Sequence, residues 1–259
     1  MRDGATSDPA ARPADGRSTG VLSTAFARLR RDPWLFVPFV VAGVMLSVGD
    51  WLRHRDPIPV IGREGLRDGQ LTVEFAGYPK GVSQTSVPLE SLIGLELSYL
   101  VWGIGAQSMA LIVICAAGVV TIARTLAVGA DLRAGVRYLA FVVGLDLFYR
   151  VLGSISVFQG MGVFGIVLLV ALLYVFVRLF FVPGFLVTGE TLSSAIHRSV
   201  AMSRKNGWSV CGLVLLFGIG VWFVAAVPYF GTLLSASLVA PVHAVVIAVF
   251  LEQRSPRYP

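Results

Sequence analysis

Three ionisable side chains stand inside long apolar stretches of this sequence: Asp146, Arg150 and Arg178. A charge at the centre of a membrane helix costs about 2.5 to 3.5 kcal/mol on insertion scales, so such groups need partners or water. Asp146 and Arg150 are four positions apart, which puts them on one face of a helix with the guanidinium in reach of the carboxylate. Asp146 follows Tyr138, and Arg178 precedes Val187, by eight and nine positions. In adjacent antiparallel helices both then sit roughly 12 to 14 Å from the same boundary, at about 1.5 Å per residue. The expected Arg150, Asp146, Arg178 cluster supports two chemistries. Two guanidinium groups and one carboxylate leave a positive charge over, which suits an anion or polar-substrate site. Alternatively the Asp146 and Arg178 pair fixes helix register while Arg150 snorkels outward. The structural reading is favoured, because no second carboxylate or histidine relay lines up with the cluster.

Pro241 and His243 are the secondary candidates, on a segment where Ala236, Ala240, Ala244 and Ala248 recur every four residues. Small residues on one stripe let a neighbouring helix approach closely, and Pro241 frees the Ser237 carbonyl from its helical donor. Close packing is the default expectation; a hinge at Pro241 or a proton-linked His243 is the sharper one, weakened by the absence of a carboxylate partner for the imidazole. Gly160-Met-Gly162-Val-Phe-Gly165 has the letters of a dinucleotide fingerprint, but it follows no soluble strand and lacks the acidic residue farther on, so it is rejected as a nucleotide site. Cys115 and Cys211 lie in apolar helix without metal-ligand spacing, and His54, His197 and His243 are scattered. There is no nucleophile elbow, phosphate loop or paired acid and base. No enzyme activity, metal or cofactor is expected.

The elements that must carry these residues follow from composition. The chain has 259 residues, 56% of them hydrophobic and only 14% charged. Residues 33–49, 97–123, 151–177 and 206–251 contain no Asp, Glu, Lys or Arg. About 20 apolar residues cross a hydrocarbon core as a helix, and these runs lack the alternation of a barrel strand. The spacing predicts spans at Trp34–Leu52, Tyr99–Ile122, Tyr138–Phe158 and Gly162–Val187. The last long run divides at the turn signal Pro228-Tyr229-Phe230-Gly231 into Trp208–Val227 and Thr232–Phe250. The expected fold is all-α, a polytopic bundle of six transmembrane helices.

Orientation follows from Lys and Arg in the flanks. With the N-terminus inside, 14 of the 21 basic residues fall on inner segments, 5 lie outside, and Arg150 and Arg178 are embedded. Both termini are therefore expected to be cytoplasmic in a cell membrane, and the net charge of +6 reflects topology. Nucleic acid is not an expected partner. The bilayer is, and a basic inner face suits anionic headgroups; a membrane-protein partner or a second copy remains open.

Outside the spans, residues 1–20 have the composition of a disordered tail and no signal-peptide pattern. Residues 21–31 form an amphipathic interfacial helix, with Val21, Leu22, Ala25, Phe26 and Leu29 on one face and Ser18 or Thr19 as cap. The membrane domain covers 32–252. It includes an outer loop at 53–96, read as a small lid with short strands at Leu71–Phe75 and around Thr85–Val87 and a helical stripe over Pro88–Leu97. It also includes an inner amphipathic helix at 191–206, with Leu192, Ile196 and Val200 on its apolar face and Asn206-Gly207 as a left-handed C-cap. Residues 253–259 are a cytoplasmic tail.

Arg178-Leu-Phe-Phe-Val-Pro183, followed by Glu190, Ala195, Ser199 and Asn206-Gly207-Trp208, resembles a pattern in uncharacterised six-helix prokaryotic membrane proteins. It also resembles the membrane domain attached to some glycerophosphodiester phosphodiesterases. The resemblance covers about residues 140–250. It implies six spans and an amphipathic inner helix between the fourth and fifth, and it transfers neither the phosphodiesterase activity nor any functional residue, since no phosphodiesterase catalytic domain is present. The expected function is that of a non-enzymatic multi-pass protein that organises lipids or partner proteins. The alternative is a small transporter or permease subunit using Asp146, Arg150 and Arg178, with His243.

Overall fold

The computed structural model describes residues 16–55, 61–62, 77–83, 85–86, 96–153 and 163–254. Of the expected tails at 1–20 and 253–259, residues 1–15 and 255–259 lie outside these residues, as do the strand at 71–75, most of the stripe at 88–97 and the glycine run at 160–162; residues 16–20 and 253–254 are helical, not tail. The helices are α1 (Gly16–Arg31), α2 (Val37–Arg53), α3 (Leu97–Thr125), α4 (Leu132–Gly153), α5 (Val163–Leu179), α6 (Val182–Val187), α7 (Leu192–Lys205), α8 (Gly207–Ala225) and α9 (Gly231–Arg254). A single 3-10 turn, Pro33–Leu35, joins α1 to α2. Ile61–Gly62 and Thr85–Ser86 pair antiparallel as β1 and β2.

The protein is an all-α membrane bundle. Five helical segments are long and apolar enough to cross a bilayer: Pro33–Arg53, Leu97–Thr125, Phe164–Val187, Gly207–Ala225 and Gly231–Arg254. The remaining long helix, α4, carries Arg133, Arg137, Asp146 and Arg150, and these charges keep it out of that set. On α2 the side chains of Val37, Val40, Val41, Val44, Met45 and Val48 are exposed, as are Phe164, Ile166, Val167 and Val170 on α5. Apolar faces this continuous are foreign to a soluble monomer and suit lipid.

The core is built around the second half of α9, where every side chain from His243 to Leu251 is buried, against Phe176, Phe180, Phe181 and Phe185 of α5, the linker and α6. The alanine stripe is part of it: Ala236, Ala240, Ala244 and Ala248 are all buried. Gly184 of α6 sits so tightly against Ile247 and Leu251 that a methyl group there would collide with both.

Polar ties gather one end of the bundle. Arg28 on α1 pairs with Glu252 near the end of α9 at 2.5 Å and donates to the Thr125 carbonyl at the end of α3 at 3.1 Å. Arg124 grips both oxygens of Asp32 at 2.7 and 3.2 Å. Arg137, in the second turn of α4, donates to the carbonyls of Gly189 and Glu190 just past α6 at 2.8 and 3.2 Å. The start of α2, the end of α3, the start of α4, the end of α6 and the end of α9 therefore share one end, called here the near end.

Several boundaries differ from the sequence reading. Helix α1 is described from Gly16, so the backbone of Ser18 and Thr19 is already helical. Its buried face is Val21, Ala25 and Leu29, packed against α9, while Phe26 is half-exposed. The fourth expected span, Gly162–Val187, breaks at Phe180-Phe181 into α5 and α6, because Pro183 offers no N–H to the preceding turn. On α7 the fully buried positions are Ala195, Ser199 and Ser203, with Leu192 exposed. Asn206 has φ −131°, so α7 ends without a left-handed residue; its side-chain Nδ2 instead donates back to the Met202 carbonyl at 3.2 Å. Among the described residues, the left-handed non-glycine positions are Ala127 and Tyr229, the latter in the turn that separates α8 from α9.

Candidate functional site

Arg178 occupies the last turn of α5. Its guanidinium donates to the Tyr174 hydroxyl at 3.1 Å and to Ser203 Oγ on α7 at 3.3 Å, and it stacks on the Tyr174 ring at 4.7 Å. Its donors are thus directed along α5 and onto α7 at the near end. Asp146 is half-buried on α4, next to the buried Leu145. The side chain of Arg150 falls outside the described residues. Beside Arg178, Ser199 of α7 serves the break between α5 and α6. Its hydroxyl donates to the Arg178 carbonyl at 2.6 Å and accepts from the Phe181 N–H at 3.2 Å. Those two backbone groups lose helical partners at the break, and a buried amide without a partner is costly. A short hydroxyl on a closely packed helix meets both needs.

His243 is buried between two aromatic rings, stacked on Phe217 at 4.4 Å and on Phe180 at 5.1 Å between ring centroids. Its Nε2 is buried with no hydrogen-bond partner among the described residues. The site is an aromatic sandwich. Pro241 is buried too, two residues past a π-helical turn at Ser235–Val239, where the Ala240 N–H reaches the Ser235 carbonyl five positions back. A proline that withholds its N–H from the preceding turn favours such a widening, and π turns often mark functional positions.

The opposite, far end holds a feature that the sequence reading did not anticipate. Residues 77–83 of the expected outer lid enter the bundle. Gly77, Tyr78, Pro79, Gly81 and Val82 are all buried. A methyl group on Gly77 would lie 2.7 Å from Leu145 on α4 and 2.9 Å from Phe176, which is midway along the Phe164–Val187 span. Gly81 presses on Ala236 of the π turn. Val82 packs against Val221, Ala225 and Val239. Non-helical backbone at membrane depth is tolerated only where protein or water covers it, which is the case here. The Val82 N–H donates to Ser235 Oγ at 3.0 Å.

This segment meets a polar seam between α2 and α9. Asp50, buried in the last turn of α2, accepts from Ser83 Oγ and from Thr232 Oγ1, the latter at 2.5 Å. One turn earlier on the same face, Ser47 has a buried hydroxyl without a partner among the described residues, and so does Ser237 on α9. Gly43 completes the seam: a methyl group there would lie 2.9 Å from Ser237 Oγ and 3.1 Å from the Leu233 carbonyl. Asp50 ends the first charge-free run, 33–49. The signal available was a lone carboxylate at helical spacing from Gly43 and Ser47 (i+7, i+3).

At the near end, a groove of about 340 Å³ opens between α1, α8 and α9. Thr24, Asn206, Ser209, Gln253 and Arg254 supply its polar lining, with Val21 and Phe250 as its apolar floor. Arg30, Arg31, Arg204 and Lys205 are exposed on the neighbouring helix ends. No protein-family model matches the chain, and neither a curated protein nor a solved structure matches it.

Proposed function

We propose that the chain is a non-enzymatic, six-span protein of the cell membrane, with both termini cytoplasmic, that organises lipids by holding anionic headgroups at its near end. The observation that carries this reading is the groove between α1, α8 and α9. It combines hydroxyl and amide donors with Arg254 over an apolar floor. That is the lining expected for a phosphate whose acyl chains continue into the bilayer. The surrounding arginines and lysine add long-range attraction of about 1 kcal/mol each for an anionic leaflet. The sixth span in this reading is α4, and the resemblance over residues 140–250 supports the same plan.

The test is lipid retention through purification, read by native mass spectrometry after exchange into mixed micelles of phosphatidylglycerol and phosphatidylcholine. Wild type is expected to keep the anionic lipid selectively, and Arg254→Gln combined with Asn206→Ala to lose that selectivity. Equal retention of both lipids by wild type would sink the reading.

The re-entrant segment at 77–83 favours a second reading, a small transporter or permease subunit, because buried irregular backbone and an embedded carboxylate are what such proteins place on a substrate path. Cysteine accessibility scanning around position 146 separates the two. A hydrated strip facing α5 supports transport, and uniform protection supports the lipid role.

A further inference from the structure

We infer that the groove between α1, α8 and α9 selects a monoanionic phosphodiester lipid whose headgroup carries free hydroxyls, as the glycerol of phosphatidylglycerol does. The inference rests on the headgroup role proposed above and names the substrate class of that same site. Charge comes first. Arg254 is the only cationic side chain that lines the groove, and no carboxylate lines it among the described residues. Arg28, also on α1, is already committed to Glu252 and to the Thr125 carbonyl. One guanidinium matches the single charge of a phosphodiester, with the short charge-assisted hydrogen bonds that arginine makes to phosphate. The second charge of a phosphomonoester would find no partner in the groove.

Zwitterionic headgroups are disfavoured by the same lining. An ammonium group only donates, and without a carboxylate its charge goes unanswered. A choline is held by aromatic faces. Phe250 is the one aromatic ring of the groove, and the Arg254 guanidinium already lies over it at 5.8 Å. A second cation on that ring would meet a like charge.

The rest of the polar lining is neutral and able both to donate and to accept. Ser209 and Gln253 make no hydrogen bond among the described residues. Asn206 uses Nδ2 on the Met202 carbonyl at 3.2 Å, which leaves its Oδ1 to accept. Thr24 donates to the Gly20 carbonyl at 2.8 Å and keeps its acceptor capacity. Hydroxyls and side-chain amides complement other hydroxyls, since each partner offers both roles. A site built to hydrogen-bond hydroxyls rejects an analogue that lacks them, because its own polar groups are then left unpaired. The groove's volume of about 340 Å³ is at the small end of the roughly 300 to 1,000 Å³ of ligand pockets. It has room for one small headgroup, with Val21 and Phe250 where the acyl chains begin.

The experiment exchanges the purified full chain into micelles holding equal amounts of phosphatidylglycerol, phosphatidylmethanol and phosphatidylcholine with identical acyl chains, and reads the bound lipid by native mass spectrometry. Phosphatidylmethanol keeps the single phosphodiester charge and lacks the hydroxyls. Wild type should retain phosphatidylglycerol over phosphatidylmethanol by at least about fivefold, the yield of one or two ordinary hydrogen bonds. Ser209→Ala combined with Gln253→Ala should bring the two anionic lipids to equal retention. That ratio is internal to each sample, so a lower yield of protein does not move it. Gln253→Ala alone, at an exposed position, should also lower the ratio and decides the matter if the double variant fails to fold. Soluble glycerol phosphate supplied at the lipid's concentration should leave the lipid in place, because it has no acyl chains to meet the apolar floor. Equal retention of the two anionic lipids by wild type, with phosphatidylcholine below both, overturns the hydroxyl selectivity and leaves the headgroup role standing. Equal retention of phosphatidylglycerol and phosphatidylcholine overturns the headgroup role itself. A ratio unchanged in the variants, or displacement by soluble glycerol phosphate, overturns the assignment of the groove to this lipid class.

Discussion

At the scale of single residues, the clearest consequences come from glycines that no side chain could replace. A methyl group at Gly81 would stand 2.6 Å from the Ala236 Cβ and 2.7 Å from that residue's backbone nitrogen. Backbone cannot yield as a side-chain tip can. Gly81→Ala is therefore expected to cost about 1 to 3 kcal/mol by overpacking, or to expel the re-entrant segment. Gly49, inside α2, has nothing within 4 Å of its missing Cβ. Gly49→Ala should be neutral or slightly stabilising, and thermal midpoints of the pair measure the contrast. Asp32 yields a pH prediction. The hydrogen bond from Arg124 holds its carboxyl below the usual carboxylate range. A depressed carboxyl contributes stability above its unfolded pKa of about 4 and loses it as pH falls through the folded value. The contribution is small because the pair is exposed at the surface. Midpoints of wild type and Asp32→Asn should differ at neutral pH and converge in acid. How far the site could be read from sequence also has its answer here. Charge inside apolar runs identified Asp146, Arg150 and Arg178, yet Asp50, at the end of such a run, holds the polar seam. A method that uses charges as run boundaries discards the charges at those boundaries.

At the scale of elements, hydrophobic runs place every long helix and the amphipathic α7, because lipid leaves helix as the only self-satisfied backbone for these lengths. What periodicity missed is how the elements touch. Leu192, Ile196 and Val200 line the expected apolar face of α7, yet Ala195, Ser199 and Ser203 are the buried positions. Membrane helices associate through small residues that permit close approach, so hydrophobicity is a poor guide to the contact face. Close approach then lets Ser199 reach the Phe181 N–H and the Arg178 carbonyl at the break after α5. Ser199→Ala preserves the packing and orphans the amide. It is expected to destabilise the protein by about 1 to 3 kcal/mol, the usual cost of a buried unmade hydrogen bond. Ser199→Thr, which keeps a hydroxyl, should recover part of that loss unless its extra methyl is refused by the fully buried site. The re-entrant segment escaped for a related reason. Gly77-Tyr78-Pro79 is a turn signal in any loop, and nothing local tells a turn over a bundle from a turn inside one.

At the scale of the molecule, the question is whether the chain crosses the membrane five times or six. Composition counts five apolar helices and leaves α4 aside for its four charges. Connectivity bears on the same point. The end of α3 is tied to Asp32 and Arg28, and the second turn of α4 is tied through Arg137 to the carbonyls after α6. Both ends of the α5 and α6 pair cannot lie at the near end, because Phe164–Val187 is a helical stretch of 24 residues and about 36 Å long. Something must carry the chain from the near end to the start of α5. Helix α4, with 22 residues and a length of about 33 Å, is the element between them. Two of its charges, Arg133 and Arg137, lie within its first two turns, where an interface would accommodate them. Six crossings place both termini on one side, and five place them on opposite sides. Green fluorescent protein fused to either terminus should fluoresce, and alkaline phosphatase fused at either should stay inactive, while phosphatase inserted between positions 63 and 76 should be active. Activity at the C-terminal fusion alone would remove α4 from the membrane, and with it the idea that Asp146 and Arg150 are embedded charges at all.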